Sequence, residues 1–507
     1  MYQGKSSFNM IDYAYMKYIL SLDIGTTSTR AVIFDQKMNI LSQASAPLNI
    51  CTQETGEVEQ DPMEIWHKTV QCGKKAMQTA KLKAADISCI GLANQRETVI
   101  AWNKQTGKPL APAIVWQDRR TARKCQVLEK DRALARRIRA KTGLVIDPSF
   151  SAAKIQWLNN KYNSKKNKKI VFGTVDSWML WNLTRGQIFA TEPSNASRTM
   201  LMNIKDLAWD TELLSLFDVQ ANQLPDIQFS QGEFGSCDRQ IFGHEIPVTG
   251  MLGDQQAALF SHGPLRENML SMTYGTGLFA LKTIGHKPRP ATSGILTTVA
   301  WKRPERPVEY AYETSALTGG AMLEWFKNQM GLVKNMREFD ALAETVATTG
   351  GVTIVPAFTG LAAPDWDPAA RGLIIGLNRG TTKAHICRAA IEAIACQAAR
   401  MAKLLDEQMG LDSKYWKVSG GLCNSAPLMQ SQADMSNVRI CKEKNVESTA
   451  AGAAMIAGLG AGIWPTWKEV SRQATCDIIY KPKRLKRGRA FLAQYERALE
   501  RAKAWNI

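Results

Sequence analysis

Two segments of the chain share one pattern of hydrophobic and polar positions. An apolar run from Ile19 ends at Asp23, is interrupted by Gly-Thr-Thr-Ser at 25–28, and resumes from Ala31 to Phe34. The pattern recurs at 269–281, where Gly-Thr-Gly separates two further apolar runs. Each segment predicts a β-hairpin with a tight Gly/Thr tip. Because the two hairpins lie far apart in the chain, they predict a duplicated architecture.

Strand-like and helical patterns alternate along the rest of the chain, which is typical of an α/β protein. Short apolar runs predict strands at Ile87–Ala93 and Val99–Trp102. A helical pattern covers Pro62–Leu82, with Asp61 as its N-cap and proline at its first position. Another pattern predicts one long helix over Thr382–Gly410.

The length of the chain predicts more than one domain. A chain of 507 residues exceeds what one hydrophobic core usually serves, so two domains are expected. An apolar strand near 246–250 leads into the sequence Gly-Asp-Gln-Gln, and the second hairpin follows at once, which places the boundary near 264. We therefore expect a weakly ordered extension at 1–17, an N-terminal domain at 18–264 and a C-terminal domain at 265–507.

The hairpin tips indicate phosphate binding. A tight Gly/Thr turn directs backbone N–H groups and hydroxyls at one spot, which suits phosphate oxygens. Asp23, at the end of a buried strand, could hold Mg²⁺ beside those phosphates. A Gly-Gly turn at 420–421 leads from a strand towards a helix, so a nucleotide could lie against its backbone. The alternative is that all of these are ordinary turns.

Three further clusters place polar or aromatic side chains beside predicted strands. Arg96 and Glu97 could grip a polyhydroxyl substrate, the first donating and the second accepting hydrogen bonds. Trp116 ends an apolar stretch, where its indole could form the wall for a small carbon chain. Asp254, at the expected domain junction, is a candidate general base. The alternatives are a surface ion pair, a core tryptophan and a helix N-cap, respectively.

Composition and charge exclude several classes of protein. The net charge is +18, but the basic stretches are far apart and lack interleaved aromatic residues, so we expect no nucleic-acid partner. We interpret the charge as solvated helix faces that help to attract an anionic substrate. No apolar run is long enough to span a bilayer, and 1–17 lacks a signal-peptide pattern, so we expect no membrane insertion. Ten scattered cysteines argue against zinc and against a disulfide framework, and favour a cytoplasmic location.

Together these clusters resemble those of the glycerol kinases, which belong to a larger set of polyol and sugar kinases with an actin-like, hexokinase-like nucleotide fold. The resemblance covers residues 18–505. The Arg-Glu pair and the Asp-Gln-Gln run separate glycerol kinases from the pentulose kinases of the same superfamily. The motifs that carry the resemblance are Gly-Thr-Thr-Ser (25–28), Glu-Gln-Asp-Pro (59–62), Asn-Gln-Arg-Glu-Thr (94–98), Val-Trp-Gln-Asp-Arg-Arg-Thr (115–121), Asp-Pro-Ser-Phe-Ser (147–151), Asn-Ala-Ser-Arg-Thr-Met (195–200), Gly-Asp-Gln-Gln-Ala-Ala-Leu-Phe (253–260), Tyr-Gly-Thr-Gly (274–277), Val-Pro-Ala-Phe-Thr-Gly-Leu (355–361), Trp-Asp-Pro (366–368) and Gly-Gly (420–421).

The resemblance implies an α/β fold class with two actin-like (ribonuclease H-like) domains that flank a nucleotide-binding cleft. The first domain would carry the glycerol site and one phosphate loop, and the second would carry the other phosphate loop and the adenosine site. Asp254 would take the proton of the attacking hydroxyl, and Asp23 and Asp254 would place Mg²⁺. The residues implied to bind glycerol are Arg96, Glu97, Trp116, Ser149, Asp254, Gln255 and Phe279. The residues implied to bind ATP are Thr26, Thr27, Ser28, Arg30, Thr276, Gly320, Glu324, Gly421 and Ser425.

The chain departs from the family pattern at several positions. Ser149 stands where a tyrosine hydroxyl is expected on glycerol, and Ile24 stands where glutamine is usual. Glu324 replaces a glutamine and Ser419 replaces an aspartate near the implied nucleotide site. The usual Glu-Gly-Ser or Glu-Gly-Ala reads Glu-Thr-Ser at 313–315. These departures concern substrate affinity and nucleotide fit, whereas the expected reaction class rests on the motifs that the chain retains.

The resemblance predicts an ATP-dependent glycerol kinase that makes sn-glycerol 3-phosphate, and two alternatives stay open. The first is a related kinase that acts on another small polyol or ketose, which Ser149 favours. The second is a catalytically silent homologue that binds ligand without turnover, and retention of both Asp23 and Asp254 argues against it. We also expect a homo-oligomer, either a dimer or a tetramer.

Overall fold

The computed structural model describes most of the chain. The described residues are 17–162, 169–263, 268–292, 294–358, 360–361, 365, 367, 369–444, 447–473 and 475–505. Apart from Lys17, the expected N-terminal extension lies outside the described residues, as does the expected domain boundary at 264.

Helices and strands alternate along the chain, as the sequence predicted. The helices are α1 (Pro62–Ala80), α2 (Ala122–Lys130), α3 (Arg132–Thr142), α4 (Ser151–Tyr162), α5 (Val175–Leu183), α6 (Pro193–Ala196), α7 (Thr211–Leu216), α8 (Arg239–Phe242), α9 (Asp254–Ser261), α10 (Gly320–Asn328), α11 (Met336–Glu344), α12 (Lys383–Met409), α13 (Ala426–Ser436), α14 (Ser448–Gly460), α15 (Trp467–Ser471) and α16 (Leu485–Ala502).

The strands fall into two large sheets and several short ribbons. They are β1 (Tyr18–Ile24), β2 (Ser28–Asp35), β3 (Ile40–Pro47), β4 (Cys51–Thr52), β5 (Val58–Gln60), β6 (Ile87–Asn94), β7 (Ile100–Asn103), β8 (Ala113–Ile114), β9 (Ile170–Gly173), β10 (Ala190–Thr191), β11 (Met202–Asn203), β12 (Ala208–Trp209), β13 (Asp226–Ile227), β14 (Ser236–Cys237), β15 (Ile246–Gly253), β16 (Met269–Tyr274), β17 (Leu278–Gly285), β18 (Leu296–Trp301), β19 (Glu309–Ala316), β20 (Thr353–Val355), β21 (Leu373–Ile375), β22 (Tyr415–Ser419), β23 (Arg439–Glu443) and β24 (Cys476–Tyr480).

The two large sheets share one topology. The first has the order β14-β15-β6-β1-β2-β3, in which β1, β2 and β3 are antiparallel neighbours while β6 and β15 run parallel to β1. The second has the order β18-β19-β17-β16-β22-β23-β24, in which β16, β17 and β19 are antiparallel while β22 and β23 run parallel to β16. In both sheets an antiparallel three-stranded unit is therefore followed by two parallel strands, which confirms the predicted duplication.

Local sequence signals explain where the predicted helices begin and end. Helix α1 starts after Asp61, whose Oδ1 accepts a 2.8 Å hydrogen bond from the backbone N–H of Met63, and proline occupies its first position. Helix α12 spans 27 residues between Thr382 as N-cap and Gly410 at φ 64° as C-cap. A left-handed residue at this point suits glycine, because it has no Cβ to clash.

The two halves of the chain share a tightly packed helix at their junction. Helix α14 belongs to the second half, yet it packs against α9, β1, β6 and β15 of the first half. Small residues allow this approach: a Cβ at Gly250 would lie 2.5 Å from the backbone nitrogen of Ala457, and a Cβ at Gly91 would collide with the carbonyl of Ala453. Strand β1, which carries Asp23, and strand β15, which precedes Asp254, are thus packed against a helix from the other half.

One expectation about the cysteines was wrong. Cys441 in β23 and Cys476 in β24 form a disulfide with an S–S distance of 2.11 Å. The pairing of β23 with β24 brings the two residues together, although they are 35 residues apart in sequence and no spacing pattern marks them. Separately, no helix among the described residues is long and apolar enough to cross a membrane.

Candidate active site

The carboxyl ends of three parallel strands bring some of the predicted site residues together. Strands β1, β6 and β15 lie side by side, and Ala93 is the register partner of both Asp23 and Leu252. Arg96 follows β6 and Asp254 follows β15, so both residues lie at the edge where β1 ends, one residue after Asp23. Ligand sites of open α/β sheets form at this edge.

Asp254 is the first residue of α9, and Gly253 before it is the N-cap, so the N-cap alternative for Asp254 does not hold. Its Oδ1 lies 3.2 Å from Nε of Arg96 and accepts a 2.7 Å hydrogen bond from the backbone N–H of Gln255. Its Oδ2 has no hydrogen-bond partner among the described residues. One carboxylate oxygen is thus held by the protein, and the other is available.

Burial raises the pKa of Asp254 to about 7. The positive charge of Arg96 opposes this shift, whereas the negative charges of Glu97 and Asp23 add to it. A general base acts best when its pKa lies near the working pH, so this value suits the proton transfer that the sequence predicted for Asp254. Burial likewise raises the pKa of Asp23 to about 6, and the positive charge of Arg30 opposes that shift.

Arg96 and Glu97 are buried, so the alternative of a surface ion pair does not hold for them. Their side chains do not bond to each other. The guanidinium of Arg96 donates to both carboxylate oxygens of Glu313, at 2.7 and 3.0 Å. Glu97 accepts a 2.6 Å hydrogen bond from Nε of Arg198, whose Nη2 lies 3.2 Å from Glu313. We name Arg96, Glu97, Arg198 and Glu313 the charge cluster.

Sequence analysis missed two members of the charge cluster. Arg198 lies in the Asn-Ala-Ser-Arg-Thr-Met motif, which was used only as a family marker, and Glu313 was noted only as part of a departure from the family. Their motifs were a signal for the region, but nothing local indicates their partners. Glu313 is 217 residues from Arg96, and Arg198 is 101 residues from Glu97.

Two buried polar atoms at the site lack partners among the described residues. They are Oε1 of Gln255, an acceptor, and Nη1 of Arg198, a donor. Buried polar groups are normally hydrogen-bonded, and an unmade bond costs about 1–3 kcal/mol. A hydroxyl both donates and accepts hydrogen bonds, so the polar atoms left open here fit a polyol.

Glu97 is held in an uncommon backbone conformation. Its φ is 64°, in the left-handed region that non-glycine residues rarely adopt. Its carbonyl oxygen accepts 3.1 Å hydrogen bonds from Nζ of Lys154 and from Oγ of Ser151. Lys154 is fully buried and also donates a 2.6 Å bond to the carbonyl of Ser149, so it ties the 149 segment to Glu97. Burial lowers the pKa of Lys154 to about 8.

The remaining predicted polyol residues come from three separate segments. Trp116 is half-buried rather than a core side chain, and Ser149 is also half-buried. Phe279 lies on β17 of the second sheet, opposite Ser315, and is half-buried against the core between the halves. Ser149 is linked to the charge cluster through Lys154, whose Nζ donates hydrogen bonds to the backbone carbonyls of Ser149 and Glu97.

The first hairpin tip is held by three side chains from other segments. Nε1 of Trp116 donates a 2.9 Å hydrogen bond to Oγ1 of Thr26. Nε2 of Gln60 donates a 2.6 Å bond to the carbonyl of Thr26, and Gln95 in turn donates to Gln60 at 2.8 Å. Thr27 is exposed at the tip, and Ser28 is half-buried where β2 begins. The tip is therefore rigidly supported while its outer face stays accessible.

Arg30 lies on β2, opposite Asp23 in the hairpin register. Its guanidinium forms an ion pair with Glu447, which precedes α14 of the second half. The side chain that the resemblance assigns to phosphate is thus bonded to a carboxylate here, and a bound polyphosphate would have to share or displace that partner.

The second hairpin tip contacts α10 and the Gly-Gly turn. The backbone N–H of Gly320 donates a 2.9 Å hydrogen bond to the carbonyl of Gly275, and a Cβ at Gly320 would lie 2.8 Å from that oxygen. Gly420 has φ 92°, and a Cβ there would collide with the carbonyl of Tyr274. Glycine is therefore required for these segments to meet. Thr276 is exposed between them.

The other predicted nucleotide residues differ in their surroundings. Gly421 is exposed, and a Cβ there would meet no atom within 4 Å. Ser425 is the N-cap of α13 and donates a 2.7 Å hydrogen bond to Asp340. Glu324 is half-exposed on α10 and forms an ion pair with Lys327. Ser425 and Glu324 thus already have protein partners, which the sequence did not indicate.

Two hairpin tips and a carboxylate at the edge of a parallel sheet, in a duplicated fold, are the arrangement that the resemblance to actin-like kinases implied. Comparison with known proteins agrees. Residues 18–261 match the N-terminal domain of the FGGY family of carbohydrate kinases, and residues 270–461 match its C-terminal domain. The chain belongs to the FGGY family of carbohydrate kinases.

Curated relatives refine this assignment. The chain is 42% identical over 494 residues to a glycerol kinase of Caldanaerobacter subterraneus subsp. tengcongensis, covering 96% of this chain and 99% of the relative. It is 43% identical over 495 residues to glycerol kinase 2 of Thermotoga maritima, covering 97% and 99% respectively. The resemblance to glycerol kinases is therefore confirmed.

Solved structures confirm the fold class. The crystal structure of Plasmodium falciparum glycerol kinase with ADP has a TM-score of 0.86 and is 33% identical, covering 96% of this chain and 98% of the other. A gluconate kinase from Lactobacillus acidophilus has a TM-score of 0.83 at 22% identity, which indicates a shared fold only. The α/β fold with two actin-like domains, expected from the motifs, is the fold of this chain.

Proposed function

We propose that this protein transfers the γ-phosphoryl group of ATP to glycerol and forms sn-glycerol 3-phosphate. The observation that carries the proposal is the carboxylate of Asp254: Arg96 and a backbone N–H hold its Oδ1, while Oδ2 has no partner in the described part of the chain. Relatives at 42–43% identity over nearly the whole chain are named glycerol kinases, which supports the substrate.

In this proposal the substrate hydroxyl attacks the γ-phosphorus while its proton passes to Oδ2 of Asp254, and ADP leaves. Phosphoryl transfer depends mainly on positioning and on stabilising phosphate charge. The residues proposed to bind glycerol are Arg96, Glu97, Trp116, Ser149, Gln255 and Phe279, together with Asp254. The residues proposed to bind ATP are Thr26, Thr27, Ser28, Arg30, Thr276, Gly320, Glu324, Gly421 and Ser425.

The carboxylates present fit a magnesium ion that is bound mainly through the nucleotide. No group of three or more His, Cys, Asp or Glu residues suited to a metal occurs in the part of the chain that the structure describes. Mg²⁺ commonly uses only one or two carboxylates together with waters and substrate phosphates. Asp23 lies close enough to Asp254 for its charge to raise the pKa of Asp254, so these two carboxylates would hold the magnesium ion. The ion would neutralise charge on the phosphates.

A kinase acting on another small polyol or ketose is the second candidate. Ser149 favours it, because serine at that position leaves more room than the tyrosine expected for glycerol. A catalytically silent homologue is less well supported, since both carboxylates are present and Asp254 has a pKa suited to a general base.

ADP release with a panel of acceptors tests these candidates. The panel contains glycerol, dihydroxyacetone, erythritol, xylitol and gluconate, with ATP and Mg²⁺ and with acceptor-free blanks. Glycerol giving the highest kcat/KM, with product oxidised by a stereospecific sn-glycerol 3-phosphate dehydrogenase, supports the proposal. A higher kcat/KM on another acceptor favours the second candidate, and no turnover on any acceptor favours the silent homologue. A homo-oligomer stays a prediction that light scattering of the purified protein would test.

A further inference from the structure

A hairpin from the second half of the chain reaches across to the first half. It is formed by β18 and β19. The backbone N–H of Thr297 donates a 3.0 Å hydrogen bond to the carbonyl of Gly143, and the hydroxyl of Tyr310 donates a 2.7 Å bond to the carbonyl of Ile204. These bonds lie between the two halves and fix the position of the hairpin.

Glu313 lies on this hairpin and is only 2% exposed. It accepts two hydrogen bonds from Arg96, at 2.7 and 3.0 Å, and lies 3.2 Å from Nη2 of Arg198. Burial alone would raise its pKa, but the charges of Arg198 and Arg96 outweigh that effect and hold the pKa below its usual value. Glu313 is therefore a carboxylate that stays ionised between two arginines of the other half.

This arrangement fixes the orientation of both arginines. A bidentate bond to a carboxylate sets the plane of a guanidinium. With its two terminal nitrogens on Glu313, Arg96 is left with Nε directed at Asp254. Arg198, held by Glu313 through Nη2, directs Nε at Glu97 and leaves Nη1 unpartnered among the described residues.

The charge cluster balances two arginines against two glutamates. Loss of the Glu313 charge would leave two buried guanidinium groups with Glu97 and Asp254 as their remaining anionic partners. Both arginines would then be drawn towards those carboxylates, because an unpaired buried charge is costly. The polyol residues would lose the geometry that the present contacts impose.

We propose that Glu313 is a positioning residue for the polyol site, which holds Arg96 and Arg198 and so makes that site depend on the docked hairpin of the second half. This inference rests on the proposed function for the identity of the ligand. Glu313 acts through the two arginines, and neither arginine is among the residues proposed to bind ATP.

The test compares Glu313→Gln with Tyr310→Phe. Tyr310→Phe is the matched control, because it removes a hydrogen bond between the halves from the same strand without touching the charge cluster. Glu313→Gln should raise the KM for glycerol roughly tenfold or more, since displacement of positioning groups by about 1 Å can cost 10²-fold. The KM for ATP should stay within about twofold in both variants, and Tyr310→Phe should leave the KM for glycerol unchanged at this scale.

Two further variants and a binding measurement keep the test decisive if Glu313→Gln folds poorly. Arg198→Lys keeps the charge but loses the planar guanidinium that contacts Glu97 and Glu313 through separate nitrogens, and should raise the KM for glycerol while leaving that for ATP unchanged. Glu313→Asp keeps the carboxylate and should restore part of the glycerol affinity that Glu313→Gln loses. Titration of the protein with glycerol in the absence of ATP, monitored by tryptophan fluorescence, measures binding independently of turnover.

Equal glycerol KM values in wild type, Glu313→Gln and Arg198→Lys would overturn the inference. So would a loss that affects glycerol and ATP equally, or one that Tyr310→Phe reproduces, because those results indicate general destabilisation. Failure of the proposed function gives a different result, since the wild-type protein itself would then neither phosphorylate nor bind glycerol.

Discussion

The indole nitrogen of Trp116 donates a 2.9 Å hydrogen bond to the hydroxyl of Thr26, and so joins the proposed wall of the polyol site to the tip of the first hairpin. Gln60 donates a hydrogen bond to the carbonyl of Thr26, and Gln95 donates one to Gln60. The residue proposed to contact the carbon chain of the acceptor therefore also orients a hydroxyl proposed to contact phosphate. Acceptor and phosphate positions are coupled through one side chain.

Trp116→Phe should weaken phosphate binding more than acceptor binding. Phenylalanine keeps an aromatic wall but cannot donate to Thr26, and one net hydrogen bond is worth about 1 kcal/mol. We expect the KM for ATP to rise about fivefold and that for glycerol to rise less. Steady-state kinetics on Trp116→Phe, Thr26→Ala and the double variant would measure the coupling between the two residues. Strictly additive effects would show that the bond contributes nothing to binding.

The rate should depend on the ionisation of Asp254. Its pKa is raised to about 7, and only the carboxylate can accept a proton, so kcat/KM for glycerol should fall tenfold per pH unit below about pH 7. Above that pH it should level off. A pH–rate profile between pH 5 and 9, with thermal melts to confirm folding at each pH, measures this. A flat profile down to pH 5 would contradict the assignment of Asp254 as the base.

Asp254→Asn should remove turnover and increase stability. The amide cannot take a proton, and loss of a general base typically costs about 10²–10⁴-fold in rate. The folded-state pKa of about 7 is higher than the usual value near 4, so the native state is increasingly destabilised as pH rises from about 4 to 7. The variant should therefore have the higher Tm at pH 8, with a smaller advantage at pH 5. A lower Tm than wild type at both pH values would contradict this argument.

Arg96→Ala should reduce both glycerol binding and stability, because it removes the buried cation beside Asp254 and leaves Glu313 with Arg198 alone. Removal of one partner from a buried ion pair typically costs about 3–5 kcal/mol. Arg388→Ala is a suitable control, since Arg388 pairs with the buried Glu392 on α12, a helix of the second half that carries none of the proposed glycerol residues. Chemical denaturation and kinetics on both variants should show destabilisation in each, but a raised glycerol KM only for Arg96→Ala.

Local signals explain the parts of the fold that the sequence predicted well. The Gly/Thr hairpins, the N-cap at Asp61 and the glycine after α12 are each encoded by a few neighbouring residues. The boundary of the two halves is harder, because α14 packs on a sheet from the opposite half of the chain. The disulfide between Cys441 and Cys476 has no local signal either, because the two cysteines meet only when two strands distant in sequence pair.

In the candidate site, too, residues with local signals were predicted and residues that depend on long-range contacts were missed. Arg96 and Asp254 were found because each stands in a short motif at a strand end, and parallel strands bring such ends together. Arg198 and Glu313 were missed, since their importance lies in contacts over 101 and 217 residues of sequence. The contact of Ser425 with Asp340 is likewise visible only once α11 and α13 are packed, whereas the ion pair of Glu324 with Lys327 lies within α10.

Ser149→Tyr tests how this position shapes acceptor preference. Lys154 holds the backbone carbonyl of Ser149 near Glu97, so a longer side chain at 149 has a fixed starting point beside the charge cluster. Tyrosine would add apolar contact and a hydroxyl that reaches further than that of serine. We expect a lower KM for glycerol, with a gain on the order of 1 kcal/mol, and weaker activity on four-carbon polyols.

Ser149→Ala is the matched control for this prediction, because it removes the hydroxyl without filling space. Since the serine hydroxyl is too short to deliver a bond to glycerol, Ser149→Ala should leave both KM values close to those of wild type. Kinetics on glycerol and erythritol for the three proteins would decide the point. If the tyrosine variant has the same constants as wild type on both acceptors, position 149 does not line the pocket, and the preference for glycerol must come from the other residues proposed to bind it.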